Sequence, residues 1–466
     1  MMKMRNIPPS LTIPILLEPC KRRIEQWITS TTTHDILSLN AIELPRHAKI
    51  IVGTRCSSGG LGLPTNEPDT APIAILCATL TAIRTLREIY TKAYPDGHLL
   101  LVLMRIFLSP EECPPDQFPL KDDIVLAKDK FIQIMELPLT TTLEELVVNS
   151  RTIQSSTTEK IAKDATSTIY HLLRTNQDRA GFLSQSSPGA ACALMALPTD
   201  DVFKISPKAF SMLLRMKLFL SDNPCNLLTP LNYPSILLQD PYFRCPFCKH
   251  FNAKLCLSHI LICPGRGLNI ARHNKVTELF LKLLHKSGFQ YAIHEPPPIS
   301  NLTNKRTDIE LRSLINNKAY DIAIPSPQAT IYVEKAALRA LHTAITKNEE
   351  KEKKHQEQHE VANCEYISII LESTSGAFLP RTLEEIAALT AIHPSNHHPP
   401  HNSFTVTDSF SYWTHAIAIA VVSSTMENLL DARRRSAELL YKVYGPHTQL
   451  NTTNNPNILQ TTPNFV

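Results

Sequence analysis

Four residues with metal-binding side chains lie within a short stretch of the chain: Cys245, Cys248, His259 and Cys263. Two cysteines separated by two residues present both sulfurs on one side of a tight turn, and a His and a Cys four apart supply the second pair. Four of the 11 cysteines fall between residues 245 and 263, which favours a site over unrelated buried thiols. The spacing predicts a structural zinc knuckle, with His250 and Cys256 as possible substitute ligands.

A predicted helix with a basic surface follows the knuckle over residues 269–288. Apolar residues recur in it at helical spacing, and Gly288 is placed to end it. Between Arg244 and Glu295 there are 8 Lys or Arg and 2 Asp or Glu, a local net charge of +6 compared with +4 for the whole chain. Such a patch attracts phosphate, although a solvated helix face gives the same pattern. The candidate nucleic-acid contacts are Arg272, His273, Asn274, Lys275 and Lys282.

Two aspartates, Asp308 and Asp321, each lie in a short strand-like run rich in apolar residues. The segment Asn316–Lys318 predicts a turn between the runs, and two antiparallel strands would bring both carboxylates to one end of a sheet. Hard oxygen ligands of this kind hold Mg²⁺, which activates water and stabilises charge on a phosphate. Two solvent-exposed aspartates at strand ends would give the same spacing, so the pair alone is weak evidence.

In combination, these segments resemble the C-terminal region of non-LTR retrotransposon reverse transcriptase proteins that carry a restriction-like endonuclease. The resemblance rests on the order Cys-x2-Cys, His-x3-Cys, Arg-His-Asn and two Asp thirteen residues apart. Upstream, the run Gly59-Gly-Leu-Gly-Leu63 is similar to the segment that follows the polymerase palm in these proteins. The segment Ser206–Arg215 is similar to their short helix before the zinc module.

The resemblance implies that Asp308 and Asp321 are the magnesium ligands of a PD-(D/E)XK-type nuclease. A cation beside them would orient water or stabilise charge in the transition state. The general nuclease pattern has lysine at the position of Ala323. In retrotransposon enzymes of this kind the lysine lies on the following helix instead. The resemblance therefore makes Lys351 and Lys354 the catalytic candidates. Lys335 lies closer along the chain and is a further alternative.

The activity that the resemblance implies is Mg²⁺-dependent nicking of a DNA target, which primes reverse transcription in this family. Element RNA is a further possible partner, and the implied location is the nucleus. The alternative is a catalytically inactive, zinc-containing nucleic-acid-binding remnant, which Thr307 favours because the family usually has proline there. Neither Asp122-Asp123 nor Asp200-Asp201 follows an aromatic residue, so we expect the polymerase palm to be absent.

Composition and the positions of turn-forming residues predict an α+β, multi-domain chain. Its 466 residues are 43% hydrophobic, enough for several cores, and its apolar runs are too short to cross a bilayer. The odd number of cysteines without framework spacing favours a reducing compartment. The predicted order is a helical, thumb-like segment (1–110), a variable helical and loop region (111–200), a lead-in helix with the zinc knuckle (201–267), a restriction-like endonuclease domain with a mixed central sheet (268–390), a His/Pro linker (391–410), a C-terminal helix (411–445) and a disordered tail (446–466).

Within the predicted nuclease domain, the patterns give a helix over about 333–358, a buried strand over Tyr366–Glu372 and a helix over 382–389. Thr382 and Glu385 would form a capping box for the last helix. The glycines at 59, 60 and 62 indicate a backbone requirement, either positive φ or close approach of another segment. A phosphate-cradling loop is the alternative, although the Lys-Ser/Thr of a Walker A motif does not follow.

Overall fold

The computed structural model describes residues 44–61, 76–87, 121–138, 142–148, 150, 152–196, 200–220, 245, 247–248, 257–297, 306–311, 317–392 and 408–444. The predictions for the first 43 residues, for most of the His/Pro linker and for the tail lie outside these ranges. His250 and Cys256, the substitute ligands, also lie outside them.

The described part of the chain is α+β, with helices outnumbering strands. The helices are α1 Arg46–Gly53, α2 76–87, α3 Lys121–Met135, α4 Leu143–Val148, α5 Ile153–Leu172, α6 Asn176–Gln185, α7 Cys192–Met195, α8 Pro207–Lys217, α9 Leu257–Ile260, α10 Leu268–Lys286, α11 Val333–Ala336, α12 His342–Ala362, α13 Pro380–Ile392 and α14 Ser409–Tyr444. The strands are β1 Ala292–His294, β2 Ile309–Leu311, β3 Asn317–Ala323 and β4 Cys364–Ile370.

The four strands form one small mixed sheet in the order β1-β2-β3-β4. β2 pairs antiparallel with both β1 and β3, whereas β3 and β4 run parallel. The predicted antiparallel pair of Asp-bearing segments is therefore confirmed, but the turn predicted between them is wrong for Asn317 and Lys318, which belong to β3. In the parallel pair, Asp321 lies beside Ser368, so both side chains project from the same face of the sheet.

The two faces of the sheet are covered by different helices. On one face, Phe280 and Leu284 of α10 are buried in the same apolar cluster as Tyr320 and Ile322 of β3. The ring of Phe280 meets that of Tyr320 edge-on at 5.1 Å. Because side chains alternate along a strand, Asp321 projects from the opposite face, which α12 covers.

The predicted helix over 333–358 is divided into α11 and α12. Leu341 has a positive φ of 56° just before α12 begins, and this left-handed residue ends the preceding turn. The division lets Ala336 and Ala337 pack against Ala180 of α6, while α12 takes a separate direction along the sheet. Apolar periodicity alone did not reveal this change of direction.

The predicted capping box at Thr382 and Glu385 is wrong, because α13 begins at Pro380. A proline is favourable at the first helical position, where its missing N–H is not needed. The Thr382 hydroxyl instead accepts a hydrogen bond from the Ile370 amide at 3.0 Å. Glu385 accepts a hydrogen bond from the Tyr320 hydroxyl at 2.7 Å. Both residues thus join α13 to the sheet.

The long helix α14 connects the sheet with the zinc-knuckle segment. Trp413, Ile417 and Val421 are buried in the cluster formed with the sheet. Ile419 and Met426 are buried in a second cluster that contains Phe247 and Cys263 of the knuckle segment. None of the described helices combines the length and apolar character that a membrane crossing requires.

The glycine run near residue 60 serves the backbone, as one of the two sequence interpretations expected. Gly59 has a φ of 85°, and a Cβ on Gly60 would lie 1.9 Å from the carbonyl oxygen of Thr54. The amides of Gly59 and Gly60 donate to the carbonyl oxygens of Cys56 and Arg55. Because these donors are used within the turn, they are not available to cradle a phosphate.

Candidate metal centres and nucleic-acid interface

The four predicted zinc ligands come together at one point. The ligand atoms of Cys245, Cys248, His259 and Cys263 all lie within 4.8 Å of one another. The sulfurs of Cys245 and Cys263 are 3.5 Å apart, and the Cys248 sulfur is 3.3 Å from His259 Nε2. A tetrahedral ion with metal–sulfur bonds of about 2.3 Å separates its ligands by about 3.8 Å. This Cys₃His cluster has the geometry to bind a metal ion, and its donors are compatible with structural zinc.

Local sequence explains how the cluster closes. His259 lies in the short helix α9, and Cys263 follows it one turn later. The chain after Cys263 then crosses the Cys-x2-Cys turn so closely that a Cβ on Gly265 would lie 2.5 Å from the Phe247 carbonyl carbon. The Gly265 amide points at the Cys263 sulfur, at 3.4 Å. Glycine is therefore required at position 265 for the turn to close.

The electrostatics of the knuckle also fit a cation. Burial raises the pKa of Cys245 to about 12 and raises the pKa of Cys263 as well. Without a positive charge at the centre, these sulfurs are held as neutral thiols. A divalent ion would stabilise them as thiolates, which are the form that binds metal.

The predicted catalytic aspartates lie at one end of the β2–β3 ladder. Ile309 pairs with Tyr320 in the register, and Asp308 precedes the first of these residues while Asp321 follows the second. Asp308 Oδ2 accepts a hydrogen bond from the Ile322 amide at 2.6 Å and lies 3.0 Å from His273 Nε2. Because the Ile322 amide follows Asp321 directly in β3, its hydrogen bond holds the Asp308 carboxyl near Asp321.

Asp321 is buried, and three side chains converge on its Oδ2 atom. Lys351 Nζ lies 2.7 Å away, the Tyr366 hydroxyl 3.2 Å and His355 Nε2 3.3 Å. Burial alone would raise the pKa of Asp321, but His355, Lys351 and Asp308 together hold that pKa well below its usual range. The carboxyl is thus kept ionised inside the protein, as a metal ligand must be.

The structure distinguishes between the predicted lysines. Lys351 is largely buried and forms the ion pair with Asp321, whereas Lys354 is exposed to solvent in the next turn of α12. Lys335, the further alternative, is exposed in α11. Lys351 is therefore the candidate lysine that contacts Asp321 in the sheet.

His355 and Tyr366 were not among the residues predicted from the sequence. His355 lies four residues after Lys351, on the same face of α12. Tyr366 lies two residues before Ser368, the register partner of Asp321, so its side chain shares the Asp321 face. Both spacings can be read from the sequence. They place the two residues at Asp321 only when the register between β3 and β4 is known.

The prediction that Arg272 contacts nucleic acid does not fit its position. Its side chain is buried, and its guanidinium donates to the Thr425 hydroxyl at 3.1 Å and to the Asn269 side chain at 3.1 Å. Burial lowers the pKa of Arg272 to about 10. A guanidinium enclosed in this way joins α10 to α14 and cannot grip a DNA backbone.

The other predicted contacts remain near the surface. Asn274, Lys275 and Lys282 are exposed on α10, away from the face that packs on the sheet. His273 is partly buried, and its hydrogen bond to Asp308 raises its pKa despite the opposing effect of burial. The basic surface of α10 therefore consists of its lysines, while His273 belongs to the carboxylate site.

Comparison of the chain with protein-family models gives no match, and no curated protein matches its sequence. The function must therefore be inferred from the two sites themselves. One is a closed Cys₃His cluster, and the other is a pair of adjacent carboxylates with a lysine at the end of a mixed sheet.

Proposed function

We propose that this chain is a Mg²⁺-dependent DNA endonuclease of the restriction-like type, derived from a multi-domain non-LTR retrotransposon protein. One observation carries the proposal: Asp308 and Asp321 lie just beyond the last residue pair of the β2–β3 ladder, with Lys351 Nζ 2.7 Å from Asp321. Two carboxylates and a neighbouring cation are the groups needed for metal-assisted cleavage of a phosphodiester. The helix that carries the lysine follows the second aspartate, as the resemblance implied.

In this proposal the Cys₃His cluster holds zinc in a structural role. Four protein ligands close the coordination shell, so no position is left for a substrate. The cluster is joined to the carboxylate site by α10, which begins just after Gly267 and carries His273 to Asp308. Zinc would therefore fix the start of the helix whose exposed lysines face solvent.

The side chains of the carboxylate site have separate tasks. Mg²⁺ bound by Asp308 and Asp321 would supply an activated water and stabilise charge on the scissile phosphate. The Ile322 amide and His273 fix the orientation of Asp308. Lys351 keeps one of its three N–H donors on Asp321 and can direct another to a phosphate oxygen or to the attacking water. Lys275 and Lys282 would hold the DNA backbone.

The biological role we infer is nicking of a target DNA in the nucleus to prime reverse transcription. The polymerase palm would be absent from this chain, so synthesis would depend on a polymerase elsewhere. Element RNA is a further partner in this scheme, recognised by the same basic surface.

A nicking assay tests the proposal. Supercoiled plasmid is incubated with Mg²⁺ or Mn²⁺ and the native chain, Asp321→Asn, Lys351→Met or Lys354→Met. We expect the first two variants to lose about 10²–10³-fold in rate, the usual cost of removing one charge-stabilising group. Lys354→Met is the matched control and should nick at the native rate, because Lys354 is exposed. Native rates in Asp321→Asn would contradict the proposal.

The second candidate function is a catalytically inactive, zinc-containing nucleic-acid-binding remnant. Thr307 favours it, because this residue replaces the usual proline and its buried hydroxyl has no hydrogen-bond partner among the described residues. The knuckle and the exposed lysines of α10 do not require the aspartates. DNA binding without nicking, in a chain that contains zinc, would support the remnant over the nuclease.

A further inference from the structure

Three side chains lie against one oxygen of Asp321. Lys351, Tyr366 and His355 each approach Oδ2, at 2.7, 3.2 and 3.3 Å. A lone ion pair between Lys351 and Asp321 would need only the first of these contacts. The other two side chains come from different elements, His355 from α12 and Tyr366 from β4. The Tyr366 hydroxyl donates to this oxygen, whereas the His355 ring contacts it at ion-pair distance, and together they fix the plane of the carboxylate.

His355 and Tyr366 support each other. The imidazole of His355 is fully buried and stacks on the ring of Tyr366, with centroids 5.1 Å apart and an interplanar angle of 19°. Stacked rings of this kind resist rotation about their side-chain bonds. The two rings are thereby held together against the Oδ2 atom of Asp321.

We propose that His355 and Tyr366 are positioning residues for Asp321, which reserve its Oδ1 atom for a single divalent metal ion. The inference rests on the proposed endonuclease function. Groups that orient metal ligands commonly contribute a factor of about 10–100 in metal affinity. Both residues act through Asp321, so they are positioning residues and not catalytic residues.

The same arrangement at Asp308 limits the site to one ion. Asp308 Oδ2 is held by the Ile322 amide and by His273, so Asp308 also offers one oxygen. The two carboxyls thus offer one less crowded oxygen each, which suits a single Mg²⁺ that keeps several of its waters.

A Mn²⁺-binding titration on the full, zinc-loaded chain without DNA tests this inference. We expect one equivalent of Mn²⁺ to bind the native chain. Tyr366→Phe keeps the stacked ring but removes the hydroxyl, and His355→Phe keeps a stacked ring but removes Nε2. Each should weaken Mn²⁺ binding about 10-fold or more, and raise the Mn²⁺ concentration for half-maximal nicking by a similar factor. The nicking rate at saturating Mn²⁺ should change much less.

Two further variants separate positioning from general damage to the fold. His355→Gln places an amide near the position of Nε2 and should recover most of the Mn²⁺ affinity, while Lys353→Ala alters an exposed neighbour and should have no effect. Native affinity in the Tyr366 and His355 variants, with Asp321→Asn unable to bind Mn²⁺, would overturn the positioning role and leave the proposed function standing. Two equivalents of Mn²⁺ would overturn the single-ion site. A native chain that binds no Mn²⁺ would remove the proposed function itself.

Discussion

The knuckle and the carboxylate site differ in how much of the chain each requires. The knuckle takes its ligands from the stretch between Cys245 and Cys263 and places their ligand atoms within 4.8 Å of one another. The carboxylate site takes Asp308 and Asp321 from two strands, His273 from α10 and further groups from α12 and β4. The first is a local structure that a metal ion can hold, whereas the second depends on strand register and helix packing. This difference explains why the ligands of the knuckle could be predicted from the sequence, whereas only some residues of the carboxylate site could.

The two regions nevertheless share a framework. α10 starts at the knuckle and ends beneath the sheet, and α14 packs against both clusters. Arg272 strengthens this connection, because its buried guanidinium donates to Thr425 of α14. Substitutions in the knuckle should therefore also destabilise the sheet, whereas substitutions in the carboxylate site should affect that site alone.

The largest effect is expected from Cys263→Ser. Structural zinc contributes about 10–16 kcal/mol of apparent binding free energy in small zinc modules, so loss of one ligand should remove the metal and its stabilisation. We expect the variant to lose one equivalent of zinc and to unfold about 10 °C or more below the native chain. Elemental analysis and thermal unfolding followed by circular dichroism would measure both quantities.

Cys364→Ser is the matched control for that experiment, because Cys364 lies at the start of β4 outside the cluster. It should keep the zinc and most of the thermal stability. If Cys263→Ser retained its zinc, the Cys₃His set would be wrong. If zinc were lost without any change in unfolding, the metal would not support the framework that α10 and α14 share.

An intermediate effect is expected at Glu372, near the end of the sheet that α12 approaches. Its carboxyl is buried, and burial raises its pKa to about 7, although Ser184 and the Ala344 amide oppose the shift. Above that pH the folded protein carries a buried carboxylate that the unfolded chain would hydrate. We expect Glu372→Gln to raise the free energy of unfolding by about 3 kcal/mol at pH 8.

The sign of this pH dependence follows from the raised pKa. In the unfolded chain the carboxyl titrates near its ordinary pKa of 4.5, so stability falls as pH rises from that value to about 7 and is constant beyond. The advantage of Glu372→Gln should shrink to about 1 kcal/mol at pH 5. Denaturant unfolding at both pH values measures it, with exposed Glu349→Gln as control. A constant difference across this range would contradict the raised pKa.

The smallest effects are expected from the exposed lysines of α10. Lys275→Ala and Lys282→Ala should each weaken DNA binding a few-fold, equally for unrelated sequences, and lower the slope of log affinity against log salt by about 1. Fluorescence anisotropy at several salt concentrations measures the slope. Lys163→Ala on α5, also exposed, should leave it unchanged. Unchanged slopes in both α10 variants would mean that DNA binds elsewhere.

Several features of the fold could be predicted because their cause is local. The helical spacing after residue 269 and the glycine at 288 predicted α10, which ends at Lys286 and is followed by Gly288 with a φ of 94°. The two short apolar runs around Asp308 and Asp321 predicted an antiparallel pair. The capping box at Thr382 failed because Pro380 started the helix earlier, and Thr382 found a partner in β4.

The sequence by itself indicated the knuckle, since its four ligands are closely spaced along the chain, although it left His250 and Cys256 open as substitute ligands. It also limited the proposed magnesium site to two aspartates and a group of candidate lysines. Tertiary structure decided which lysine approaches Asp321, that His355 and Tyr366 join it, and that Arg272 is buried. Those choices depend on the register of β3 with β4 and on the direction of α12 after Leu341. Contacts between segments that are distant along the chain are set by packing, and no local pattern encodes them.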